Sequence, residues 1–252
     1  MPRKFALALL LTMLAVDASA AGSRSKSAEK ARAAAEVNVS LGQRYLEQGK
    51  LELALEKLQK ALEYDASNTN AHTVIAVLYE RINDPKRAEQ HYRRASELSP
   101  KLGAVNNNYG AFLCRSGKLD DAARYFEKAL ADPFYKTPDV ARTNAGTCYL
   151  QGERLDPAEQ QFRKALEINP TNAEALYQLA RVLFQKNDYL RARAFLQRFD
   201  ALGQASPDAL LLGRDIEEKL GNTREANEYT KRLKTEFPDS TQARELESST
   251  PS

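Results

Sequence analysis

A pattern of about 34 residues recurs along this chain, and it limits the fold more than any other feature. Copies begin near Ala35, Thr69, Gly103, Asp139, Ala173 and Pro207. The copy from Thr69 carries Ile75, Ala76, Tyr79, Ala88, Tyr92, Ala95 and Pro100. The copy from Asp139 repeats them as Ala145, Gly146, Tyr149, Ala158, Phe162, Ala165 and Pro170. Within a copy, apolar or small residues at positions 4, 7, 8 and 11 share one helical face, and those at 20, 24 and 27 share another. Small residues at position 8 (Gly42, Ala76, Gly110, Gly146, Ala180) and at position 20 (Ala54, Ala88, Ala122, Ala158, Ala192) let paired helices approach closely. Gly49-Lys50, Asn83-Asp84, Gly117-Lys118, Gly152-Glu153, Asn187-Asp188 and Gly221-Asn222 sit between the two helices, where a left-handed residue ends the first. Pro100, Pro170 and Pro238 close three copies, while Ala66 and Gln204 leave two boundaries less sharply specified.

This is the tetratricopeptide repeat (TPR), and the predicted fold class is all-α: a superhelical solenoid of about six helix–turn–helix repeats. The expected repeats span 35–68, 69–102, 103–138, 139–172, 173–206 and 207–240, with a polar tail at 241–252. Two extra residues enter the third copy around Pro133-Phe134-Tyr135. No copy buries its apolar face alone, so stability is expected to come from stacked neighbours.

Residues 1–20 differ in kind. Arg3-Lys4 precedes an apolar run from Phe5 to Val16, and Ala18-Ser19-Ala20 offers a small-residue cleavage site. A secretory signal peptide is expected there, followed by a polar lead at 21–34. The run is shorter than the roughly 20 apolar residues that span a bilayer, and no other transmembrane candidate follows. The expected location is therefore the periplasm, a compartment that permits disulfides. With 37 basic and 34 acidic residues the chain lacks the basic stripe of a nucleic-acid binder.

Cys114 and Cys148 are the only cysteines, on the first helices of the third and fourth copies. Equivalent helices of adjacent repeats lie side by side, so one reading is a disulfide across the junction that carries the insertion. The other is two small buried thiols; export favours oxidation. Two cysteines without nearby histidines fall short of a metal site. His72 and His91 read as structural or solvent-facing. There is no Gly-rich phosphate loop, H-E-x-x-H or G-x-S-x-G, so neither catalysis nor a cofactor is expected.

First helices of such repeats present positions 2, 5, 6, 9, 12 and 13 to a concave groove. Those positions give Asn107, Asn108 and Ala111 in the third copy, Thr143, Asn144, Thr147 and Gln151 in the fourth, and Tyr177, Gln178, Arg181, Phe184 and Gln185 in the fifth. The residues expected to bind a partner are Asn107, Asn108, Asn144, Tyr177, Gln178, Arg181 and Phe184. Asn108, Asn144 and Gln178 form a row of amides at position 6, each with a donor and an acceptor for a peptide backbone. The competing reading has Asn108 and Asn144 bridging neighbouring helices. At the other end, Val39, Ser40, Thr73, Val74 and Val77 make a more apolar patch.

Several segments go beyond a generic repeat. Asn107-Asn108-Tyr109-Gly110-Ala111-Phe112-Leu113-Cys114 is followed by Asp132-Pro133-Phe134-Tyr135 and Asn144-Ala145-Gly146-Thr147-Cys148. Leu210-Leu211-Leu212-Gly213 and Phe237-Pro238-Asp239-Ser240 come later. Together they resemble the PilF/PilW family of type IV pilus biogenesis and stability proteins. The resemblance implies six repeats, a non-enzymatic pilotin-like role in assembling the outer-membrane secretin, and in some members a disulfide at the matching cysteines. The implied partner is the secretin or another pilus component. One departure stands out: no Cys precedes Cys114, so the lipid anchor of many members has no attachment point here. Any outer-membrane association would then run through the partner. The alternative is a general periplasmic TPR adaptor for envelope or cell-wall proteins.

Overall fold

The structure is a computed structural model that describes residues 26–246 in full and the backbone of residues 4–25 and 247–248. The expected signal peptide at 1–20 and the end of the polar tail lie outside the fully described residues. All described elements are α-helices: α1 (Lys4–Glu47), α2 (Leu51–Tyr64), α3 (Thr69–Arg81), α4 (Pro85–Leu98), α5 (Gly103–Arg115), α6 (Leu119–Leu130), α7 (Pro138–Gln151), α8 (Leu155–Ile168), α9 (Ala173–Gln185), α10 (Tyr189–Asp200), α11 (Pro207–Lys219), α12 (Thr223–Glu236) and α13 (Thr241–Ser248). They form two compact units, residues 1–100 and 101–252. Among the described residues no helix is long and apolar enough to cross a membrane.

In the first unit α1 packs on α2 and α3 on α4. Small residues at the contacts let larger ones fill the space between them: Ala54, Ala76 and Ala88 are fully enclosed beside Leu58, Ile75 and Tyr92. Gly42 shows why size matters, since a Cβ there would lie 2.5 Å from Leu58 Cγ. Asn68 joins the two repeats. Its Oδ1 accepts from the Ala71 amide at 2.8 Å, capping α3, and its Nδ2 donates to Glu36 Oε1 at 2.9 Å. Val39 and Val74, expected in an apolar contact patch, are buried in this core, which leaves Val77 exposed.

The second unit repeats the scheme with α5–α6, α7–α8, α9–α10 and α11–α12, and α13 covers the end of the stack against α11 and α12. Its central core runs through Phe162, Leu176, Leu179, Leu183 and Leu196. Leu210, Leu233 and Ala243 make a smaller terminal cluster. Helices α4, α8 and α12 each stop two residues before Pro100, Pro170 and Pro238. The ring of a proline disfavours helical geometry in the residue before it.

Each first helix ends on a left-handed residue: Gly49, Asn83, Gly117, Glu153, Asn187 and Gly221, with φ between 57° and 78°. The fourth departs from expectation. Gly152 keeps a negative φ of −89° and Glu153 takes the strained conformation at 57°. Gly152 serves space instead, because a Cβ there would lie 2.8 Å from Leu119 Cδ1.

Candidate functional site

Helices α5, α7 and α9 lie side by side, each touching the next, and their outward positions share one surface. A cavity of about 840 Å³ opens on it, lined by Arg115, Thr147, Leu150, Gln151, Glu153, Leu155, Gln178, Arg181 and Gln185. Position 13 of three successive repeats supplies Arg115, Gln151 and Gln185, one helical turn beyond the position-9 residues Thr147 and Arg181.

Gln178 and Arg181, of the residues expected to bind a partner, reach this cavity, joined by Thr147, Gln151 and Gln185 from the same groove positions. Gln178 is only 8% exposed and works mainly as a brace. Its Nε2 donates to Glu174 Oε1 at 2.8 Å, and its Oε1 accepts from Arg181 Nη1 at 2.8 Å. The Arg181 guanidinium also lies 5.9 Å from the centroid of the Tyr177 ring. One cation is thus held in place by an amide and an aromatic face. Tyr177 tilts against Phe199 at 5.5 Å, and burial holds its phenol above the ordinary tyrosine range. Phe184 packs against Tyr189 at the same separation of 5.5 Å.

Asn107, Asn108 and Asn144 lie outside the cavity lining. Asn144 Nδ2 donates to Asn107 Oδ1 at 3.0 Å, an amide bridge from α7 to α5. Asn107 is buried and Asn108 is half-buried. The bridge between neighbouring helices therefore has a visible counterpart, and Asn144 spends its donor within the fold.

The rigidity of the site comes from below. Asp139, buried at the start of α7, accepts from Asn169 Nδ2 at 2.9 Å and from Asn172 Nδ2 at 3.0 Å. Asn172 Oδ1 also caps α9 by accepting from the Ala175 amide at 3.0 Å. At the other end of these helices Cys114 and Cys148 are joined as a disulfide, with Cα atoms 5.6 Å apart. Both are buried. Arg115 and Thr147, which follow and precede them in the chain, reach the cavity. Sequence reasoning missed Arg115, Leu150, Glu153 and Leu155. The first two sit at outward positions of the kind already used for Gln185 and Phe184, so periodicity alone could have found them. Glu153 and Leu155 belong to the turn and second helix, which carry no such signal. Among the described residues no group of three or more His, Cys, Asp or Glu side chains is placed to hold a metal.

Family models described as TPR repeat or tetratricopeptide repeat match residues 42–83, 69–102, 113–173, 162–194 and 209–240. The chain is 30% identical over 209 residues to the type IV pilus assembly protein PilF of Pseudomonas aeruginosa, covering 83% of each. It is 33% identical over 156 residues to an uncharacterized protein of Haemophilus influenzae, covering 62% of this chain and 87% of that one. The crystal structure of PilW, a widely conserved type IV pilus biogenesis factor, superposes with a TM-score of 0.79 at 30% identity, covering 84% of this chain and 97% of that one. The structure of Pseudomonas aeruginosa PilF gives 0.78 at 29% identity, covering 88% and 99%.

Proposed function

The chain belongs to the PilF/PilW family of type IV pilus biogenesis TPR proteins, and on that premise we propose that it is a non-enzymatic scaffold assisting assembly of the outer-membrane secretin. The observation that carries this reading is the cavity on α7 and α9, with Arg115 at its edge. It offers amides, two guanidinium groups and two leucines, which suits an extended segment of another protein. The mechanism is passive. A scaffold that binds the assembly-competent form of a secretin subunit raises its population by mass action, by about 2.7 kcal/mol at a hundredfold excess over Kd.

Export by residues 1–20 would place the scaffold in the periplasm, where the Cys114–Cys148 bond can persist. Without a cysteine near the leader, contact with the outer membrane would come through the partner. The groove is tested by complementing a deletion strain with Arg181→Ala combined with Gln151→Ala. Surface pili are expected to be lost while the variant accumulates normally and keeps its helical signal. Full piliation would remove the groove from the mechanism.

A further inference from the structure

We propose that the inserted segment Asp132–Tyr135 is a second docking element, which plants Phe134 in an apolar pocket of a partner protein. It is separate from the groove and rests on the chain's membership of a pilus-assembly family, whether or not the secretin is the partner.

Phe134 is 87% exposed. A solvent-facing Phe on a loose loop would say little, but this loop is built. Asp132 Oδ2 accepts from the Gly103 amide at 2.8 Å and Oδ1 accepts from the Phe134 amide at 2.9 Å, so one carboxylate ties the insertion to the start of α5. The Tyr135 amide donates back to Asp132 O at 3.2 Å. Pro133 limits φ between them. Tyr135 faces inward against Gly103, where a Cβ would lie 2.6 Å from Tyr135 Cγ. The packing of half-buried Tyr135 on Gly103 therefore fixes the presentation of Phe134. An aromatic held out in this way loses little entropy on docking, the property that marks residues dominating an interface.

The surroundings indicate the chemistry of the partner. Leu102, next to the Gly103 that Asp132 holds, and Val140, which follows Tyr135 in the chain near the start of α7, are 43% and 39% exposed. An apolar centre of this kind with a polar rim is the ordinary make-up of a protein-binding patch. The rim is basic. Lys101 and Lys136 are exposed and have no ion pair among the described residues, whereas Asp139 is buried and Asp132 half-buried with its carboxylate turned to backbone amides, so the charge facing solvent is that of the lysines. The complementary surface is an apolar pocket edged by carboxylates on a folded protein.

The test places the photocrosslinker p-benzoylphenylalanine at position 134 of the full chain in piliated cells, with exposed Leu190 of the same unit as the control site. A protein adduct is expected at 134 and none at 190, and Lys101→Glu with Lys136→Glu should reduce its yield. Phe134→Ala, which removes no buried contact, should leave the helical signal and protein level unchanged. Surface pilin should fall about tenfold, the scale of a lost aromatic anchor. No adduct at 134, or normal pili with Phe134→Ala, would overturn the proposal. So would flotation with phosphatidylglycerol vesicles that Phe134→Ala abolishes, since the occupant would then be a lipid surface. An adduct with a pilus protein other than the secretin would uphold the docking element and count against the secretin assignment.

Discussion

Breaking the Cys114–Cys148 bond offers a stability test whose size follows from the chain itself. The bond closes a loop of 34 residues. In the chain-entropy treatment this restricts the unfolded state by about 12.6 cal/mol/K, or about 3.8 kcal/mol at 25 °C. The bond joins α5 to α7, so the loss should be local in a protein whose repeats contact only their neighbours. Urea unfolding followed by circular dichroism, with and without reductant, measures it. Reductant should lower the stability of the wild-type second unit by about 3–4 kcal/mol. Cys114→Ala with Cys148→Ala should sit close to the reduced wild type and not respond to reductant. Hydrogen exchange should locate the lost protection in α5–α8, with α1–α4 little changed. Equal midpoints for oxidised and reduced wild type would refute the reasoning, as would two free thiols in denatured protein isolated without reductant.

Gly146→Val should cost about 1–3 kcal/mol in the same assay, because even a Cβ at this site would lie 2.7 Å from Phe162 Cε1; no loss would mean that the α7–α8 contact is looser than described. Glu153→Gly should raise stability by up to about 1 kcal/mol by relieving the left-handed conformation, and a fall would show that the Glu153 side chain matters more than its backbone. The neutral pair His72 and His91, Nδ1 to Nδ1 at 3.0 Å, should make the first unit acid-sensitive. Burial holds both below the ordinary histidine range, and burial and then His72 push His91 down to about 4. The unfolded chain therefore binds protons that the folded chain refuses, so stability is full above about pH 6.5 and declines as pH falls toward 4. His72→Gln with His91→Gln should flatten the decline between pH 7.5 and 5; an unchanged slope would assign it to other groups.

The helices were legible because their signals are local. Asn83 and Asn187 end their helices as left-handed residues at φ 59° and 60°, as their type foretold. Gly152 misled for a physical reason: glycine answers two different needs, conformational freedom and space, and a sequence does not say which. The groove was less legible because helical periodicity gives a face and not the partners on it. Asn144 stands at the expected outward position, yet the Asn107 amide lies within reach on the neighbouring helix and takes its donor. Arg181 lines the cavity from the outward position that periodicity gave it, but the Gln178 and Tyr177 contacts that hold it depend on packing between residues of one turn. Phe134 was visible only as part of an insertion. Phe134 is exposed beside Tyr135, which fills the space above Gly103, a contact across 32 residues that no local pattern encodes.

The most direct test of the secretin assignment is an immunoblot of the secretin in envelope fractions from wild-type and deletion cells, run without boiling. Loss of the heat-resistant multimer with monomer still present is the expected result, restored by the wild-type gene. An unchanged multimer in the outer membrane of the deletion strain would contradict it and move this chain's role to another pilus component.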